Sequence, residues 1–167
     1  QAAKMERTGL HLTHVDSHQH MHMLPGVIDI SLDVAASLNL DAVRISRTPL
    51  FTAFAGMGQL IGRLGLFTLS ELSLWKAKRR HFRVPDHFEG IVAGEAVHEG
   101  HFLHILKDLR PSSTEVMMHP GTDNSRLIPA CDWEHDFEAE MQAIVSPKVR
   151  RMIADKAVKV VNYRDLK

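Results

Sequence analysis

The chain has 167 residues, 44% of them hydrophobic, and its twenty basic residues balance twenty acidic ones. That length buries one sizeable core and makes two ordinary domains a poor expectation, so residues 1–167 are read as a single domain. Zero formal net charge gives no sign of a polyanion-binding surface, which argues against nucleic acid as a partner. The single cysteine, Cys131, closes no internal disulfide and belongs to no Cys-x-x-Cys pair, in keeping with a reducing, cytoplasmic setting. No apolar run approaches the ~18–20 residues of a bilayer span, and no signal-type segment opens the sequence. Gln1 in first place reads as the middle of a longer protein.

Residues 12–18 read as a short strand ending in polar residues. Pro25-Gly26 then opens an apolar helical pattern through Val27, Ile28, Ile30, Leu32, Val34, Ala35 and Leu38, closed by Asn39. Residues 42–45 form a second strand, ended by Thr48-Pro49. Such a β-α-β unit needs a crossover connection and favours a parallel sheet with helices on its faces. Between residues 54 and 80 helical periodicity is interrupted by Gly56, Gly58, Gly62 and Gly65, giving one irregular helix or two short ones. Residues 95–109 form an amphipathic helix, and 114–119 a strand broken by Pro120-Gly121. Residues 133–145 are helical, Ser146-Pro147 caps a helix through 157, and 158–161 supply a last strand. This alternation, without a fixed-period repeat, favours an α/β fold, either a doubly wound sheet or a barrel of parallel strands. In both, functional groups gather at the strand C-termini.

Five of the twelve histidines lie between His11 and His22. On a strand, alternate side chains share a face, so Asp16, His18 and, where the extended backbone continues, His20 and His22 are expected to point the same way. Imidazole nitrogens beside a carboxylate suit a divalent metal ion such as Zn²⁺; the competing expectation is a set of solvated or locally bonded histidines. His119, at the end of the 114–119 strand, is either a general acid or base facing substrate or a turn histidine held by the Pro-Gly break, and the strand-terminus rule favours the first. Arg44, inside an apolar strand, either pairs with an acid or reaches substrate oxygens, pairing being preferred. Asp86-His87-Phe88-Glu89-Gly90 reads as a loop lining a sugar site or as a simple turn. The run Lys76-Ala77-Lys78-Arg79-Arg80 is read as a solvated helix end with no partner, Glu134-His135-Asp136 as capping residues, and Met21, Met23, Met117 and Met118 as packing residues. No nucleophile elbow, phosphate-binding loop or dinucleotide-binding turn is present, which removes serine hydrolases, nucleotide hydrolases and Rossmann dehydrogenases.

The stretch Thr13-His14-Val15-Asp16-Ser17-His18-Gln19-His20-Met21-His22-Met23-Leu24-Pro25-Gly26 resembles the YdjC-like family of carbohydrate deacetylases. The likeness continues through Val43-Arg44-Ile45, Asp86-His87-Phe88-Glu89-Gly90, Glu115-Val116-Met117-Met118-His119-Pro120-Gly121 and Val161-Asn162-Tyr163-Arg164-Asp165-Leu166. The resemblance implies an irregular TIM-like parallel β/α barrel and a divalent metal ion, Mg or Zn, held by an aspartate and two histidines. It also implies hydrolysis of the N-acetyl group of an amino sugar or chitooligosaccharide, with an acetylated amino sugar as the binding partner. His18 matches the metal-ligand histidine of the family's Asp-Ser-His motif, and His119 matches the strand-end histidine near the reacting amide, a catalytic role. Asp16, His20, His22 and Arg44 take roles in binding substrate or supporting the ligands.

The Asp-Asp-Phe-Gly motif that opens the family's barrel is absent, as is the segment carrying the second metal histidine. The resemblance therefore implies the C-terminal part of such a barrel with its N-terminal units missing. Alone, that part is expected to bind metal weakly, to be inactive, and to cover its open sheet edges by forming a homo-oligomer. Two other classes share the pattern: a different metal-dependent hydrolase of amidohydrolase or phosphoesterase type, and a non-catalytic metal- or sugar-binding module.

Overall fold

The computed structural model describes residues 2–47, 60–91 and 96–166. In chain order the elements are α1 (Ala2–Glu6), a 3-10 turn (His18–Met23), α2 (Val27–Ser37), α3 (Leu60–Arg79), β1 (His87–Glu89), α4 (Glu99–Lys107), β2 (Thr114–Val116), α5 (Asn124–Cys131), α6 (Phe137–Val145), α7 (Pro147–Asp155) and a second 3-10 turn (Tyr163–Asp165). The fold is mixed α/β. No helix among the described residues is long and apolar enough to cross a membrane. The described residues fall into two compact units, 2–47 with 60–88 and 161–166, and 89–91 with 96–160.

In the first unit α2 packs on α3. Ile28, Leu32 and Ala35 recur at helical spacing, lie on one face and are fully buried. From α3 come Leu66, Leu74 and Ala77, and the core is completed by Met23, Val43, Ile45 and Phe82. Ser73, buried on the same α3 face, donates its hydroxyl to the Met23 carbonyl at 3.2 Å, so a polar group enters the core without being orphaned. Both helices end in the same way. Asn39 takes φ 55° beyond α2, and the N–H groups of Asn39 and Leu40 return to the carbonyls of Ala36 and Ala35 at 3.0 and 2.9 Å. His81 (φ 60°) does this for α3, with the Phe82 N–H on the Ala77 carbonyl at 3.0 Å, which turns Phe82 into the core.

The parallel pairing expected of a β-α-β unit is present in reduced form. Val15 bridges Val43 and Ala42 bridges Arg83, both in parallel, with residues 41–45 in the middle. Only Val15 of the predicted strand 12–18 pairs in this way, and the predicted strand 158–161 does not form: Val160 is 77% exposed. The described part of the glycine-interrupted segment is a single helix, α3; residues 54–59 lie outside the described residues. Its basic end is not free of partners, since Lys76 pairs with Asp29 at 2.6 Å and Arg80 with Asp33 at 2.7 Å, tying α3 to α2. Arg83 pairs with Asp41, which holds that carboxyl below its ordinary pKa, and donates to the carbonyls of Arg164 and Leu166 at 2.8 and 2.7 Å.

In the second unit α4 packs on α6 and α7 around Val97, Ile105, Leu106, Phe137, Ala143 and Val149. Ser146 caps α7 by accepting from the Lys148 and Val149 N–H groups, with Pro147 in the first turn, as the sequence predicts. The predicted helices begin later than expected: α4 at Glu99 behind His98, and α6 at Phe137 behind Asp136, whose side chains accept from the His101 and Ala139 N–H groups. α5 was not expected; it carries Pro129, buries no side chain and is capped by Asp123.

Candidate functional site

The histidine-rich segment does not run on as a strand. After Ser17 the chain turns, with Gln19 at φ 50° and His20 at φ 58°, two consecutive non-glycine residues in the left-handed region. Each such residue costs about 1–2 kcal/mol, so the turn persists because its surroundings fix it. Ser17 Oγ accepts the His22 N–H at 2.8 Å, and Ser46 Oγ meets His20 Nδ1 at 2.7 Å. The shared face expected for Asp16, His18, His20 and His22 is therefore lost, because period-two alternation ends where the backbone curls.

These side chains sort by what they touch. His22 is 2% exposed. Its Nε2 lies 2.6 Å from the Arg44 carbonyl, which only accepts, so Nε2 carries the proton. Its Nδ1 then accepts from the Ser17 hydroxyl at 2.9 Å. Both ring nitrogens are thereby occupied, and His22 is a structural post between the turn and the 41–45 segment. Arg44 pairs with Asp16, as its place in an apolar strand suggested, and its guanidinium lies 5.9 Å from the Phe88 ring centroid. His20 meets the same ring edge-on at 5.8 Å. Phe88 is thus a buried residue of a short strand rather than part of a loop, since His87–Glu89 is β1. His18 differs from the others: it is exposed, and neither nitrogen has a bonded partner among the described residues.

His119 belongs to the second unit. Its backbone N–H donates to Glu140 Oε2, while Glu140 Oε1 accepts the Val97 N–H at 2.9 Å. Gly121, two residues on, passes so close to α6 that an added Cβ would lie 2.9 Å from Phe137 Cβ and 2.3 Å from Leu127 Cδ1. Its N–H donates to the Phe137 carbonyl at 2.9 Å. The Pro-Gly break thus fastens the His119 segment to the start of α6. The His119 ring meets Trp133 at 5.0 Å and His135 at 5.5 Å, both edge-on, and His135 stacks on Trp133 at 4.1 Å.

Capping describes Asp136 but misses His135 and Glu140. Asp136 accepts from the Asn124 amide and the Ala139 N–H at 2.8 and 2.9 Å, and these bonds hold its carboxyl below the ordinary value. His135 is instead buried beside Glu140, itself 1% exposed. One ligand atom from each of His119, His135 and Glu140 lies within 4.8 Å of the others. Glu140 could have been found in the sequence, because its spacing from Phe137 and Ala143 places a carboxylate on the apolar face of α6.

The YdjC-like protein family matches residues 1–155. A carbohydrate deacetylase of Thermoanaerobacter pseudethanolicus is 26% identical over 167 residues, covering 100% of this chain and 57% of the relative. One of Clostridium beijerinckii is 19% identical over 160 residues, covering 95% of this chain and 55% of the relative. The chain thus spans about half the length of the curated relatives it matches. No solved structure matches it. With the family matched across nearly its whole length, the chain belongs to the YdjC-like protein family.

Proposed function

We propose that the chain is part of a carbohydrate N-deacetylase, a hydrolase that uses Mg²⁺ or Zn²⁺ to remove the acetyl group from an acetylated amino sugar or chitooligosaccharide. The observation that carries this is His18, an exposed imidazole without a bonded partner among the described residues, in a strained turn whose other histidines are engaged, in a chain whose relatives are named carbohydrate deacetylases.

Of the donors in the turn, His18 fits a metal ion. His22 does not, with both nitrogens bonded, and Asp16 is neutralised by Arg44. One imidazole does not hold an ion, so the remaining ligands are not among the described donors of this turn. When bound, the ion supplies Lewis acidity toward the acetyl carbonyl. Arg44, fixed by Asp16, orients substrate oxygens, and His22 holds the Arg44 backbone through its carbonyl. His119 gives a proton to the sugar nitrogen as the C–N bond breaks, so that the amine leaves neutral. Glu140 and Gly121 hold the backbone that carries it.

We further propose that residues 1–167 belong to one catalytic domain, the C-terminal portion of an irregular TIM-like parallel β/α barrel, working in the cytoplasm as a homo-oligomer. The test is release of acetate from N-acetylated chitooligosaccharides by the complete protein, with and without a chelator. Metal-dependent release supports the assignment. Binding of the sugar without turnover identifies a binding module, and turnover of a phosphate ester instead identifies a phosphoesterase.

A further inference from the structure

We propose that His119, His135 and Glu140 form a second-unit binding site for a borderline transition-metal ion, with Zn²⁺ as its natural probe. Two imidazoles and a carboxylate are the donor set that Zn²⁺ takes, whereas Mg²⁺ and Ca²⁺ favour oxygen ligands. Three features of the site point to a cation. The three side chains each offer a ligand atom within 4.8 Å of the others. The buried His135 Nε2 has no hydrogen bond among the described residues: Glu140 Oε1 is 3.2 Å away but off the line that such a bond needs. An orphaned buried polar atom is unfavourable, and coordination would satisfy it. Finally, Glu140 is a buried carboxylate with no lysine or arginine partner among the described residues, and a buried charge calls for a counter-charge.

Geometry and access allow this. Zn²⁺ bonds of about 2.0–2.2 Å require the three ligand atoms to draw closer together, and the partly exposed His119 ring can swing inward about its side-chain torsions. Each Glu140 oxygen keeps a second lone pair after accepting a backbone N–H. A cleft of about 490 Å³, lined by His98, Asn124, Ile128, Glu134, His135 and Asp136, reaches His135 from solvent, and its two acids favour cation entry. The competing occupant is a proton on His135, paired with Glu140.

The binding site does not depend on deacetylase activity. If His119 is the proton donor proposed above, an ion bound there engages its ring, so Zn²⁺ beyond the catalytic requirement lowers turnover. A Zn²⁺ titration of the 167-residue chain then reads the second unit rather than the histidine-rich turn, and it departs from the weak binding expected of His18 alone.

The test uses the chain carrying His18→Ala, which removes the turn's ligand, and Trp75→Phe, which leaves Trp133 as its single tryptophan. Calorimetry with Zn²⁺ should show one ion per chain with micromolar affinity, and Ni²⁺ should quench the emission of Trp133, which stacks on His135. His135→Asn and His119→Asn should each weaken binding by roughly tenfold or more. Should His135→Asn fail to fold by circular dichroism, His119→Asn decides, since its ring is partly exposed. No saturable binding, binding that both substitutions leave unchanged, or emission that responds to pH and not to metal would each overturn the proposal.

Discussion

Replacing His22 by alanine separates the structural histidine of the turn from the free one. The substitution removes a ring that is 2% exposed and two hydrogen bonds, to the Arg44 carbonyl at 2.6 Å and the Ser17 hydroxyl at 2.9 Å. A buried group left without its partner costs about 1–3 kcal/mol, and the vacated ring volume adds roughly 1–2 kcal/mol. Together these predict a loss of about 2–5 kcal/mol, a large share of the ~5–15 kcal/mol that a domain has. His18→Ala removes an exposed ring without a bonded partner among the described residues and should stay within about 0.5 kcal/mol of the parent. Urea titrations followed by far-ultraviolet circular dichroism measure both, read as midpoint shifts at constant slope. A His22→Ala cost below about 1 kcal/mol, or a His18→Ala cost as large as that of His22→Ala, would refute the sorting.

Two further perturbations probe the second unit. Gly90→Ala places a methyl group 2.2 Å from the Met117 carbonyl oxygen at a residue with φ 99°, so backbone must move. A loss of about 2–4 kcal/mol in a urea titration is expected, and a neutral substitution would contradict the close approach. Asp136 titrates below its ordinary value because the Asn124 amide, and then the Ala139 N–H, bond its charged form. A lowered folded pKa gives stability that is present above the ordinary value of 3.8 and is lost as pH falls through the folded value. The parent should therefore exceed Asp136→Asn in stability at about pH 5 and converge with it well below pH 4; a gap that stays constant with pH would show that the carboxylate charge does not matter.

Much of the architecture was legible where a local signal and the tertiary fold agree. The apolar spacing of Ile28, Leu32 and Ala35, with Asn39 behind it, marks α2 from both sides, and Ser146-Pro147 marks the start of α7. The turn was not legible, because alternation along residues 12–22 looks the same whether or not Ser17 captures the His22 N–H. α5 gave no periodicity, since none of its side chains is buried, and Pro129 argues against a helix. The run Val158-Lys159-Val160-Val161 has strand composition, yet Val160 and Val161 are exposed and it pairs with no strand among the described residues. At the candidate site, Arg44 was legible as a charge in an apolar strand and paired as expected with Asp16. His135 was hidden by its neighbour, because the cap accounts for Asp136 and leaves the adjacent imidazole unexplained.

The most direct measurement is metal-dependent acetate release by the complete protein beside its His18→Ala variant, with bound metal quantified in the same samples. His18→Ala should fold as the parent does, lose about 100-fold or more in kcat, and retain less catalytic metal. Undiminished acetate release by a folded His18→Ala protein would contradict the assignment of His18.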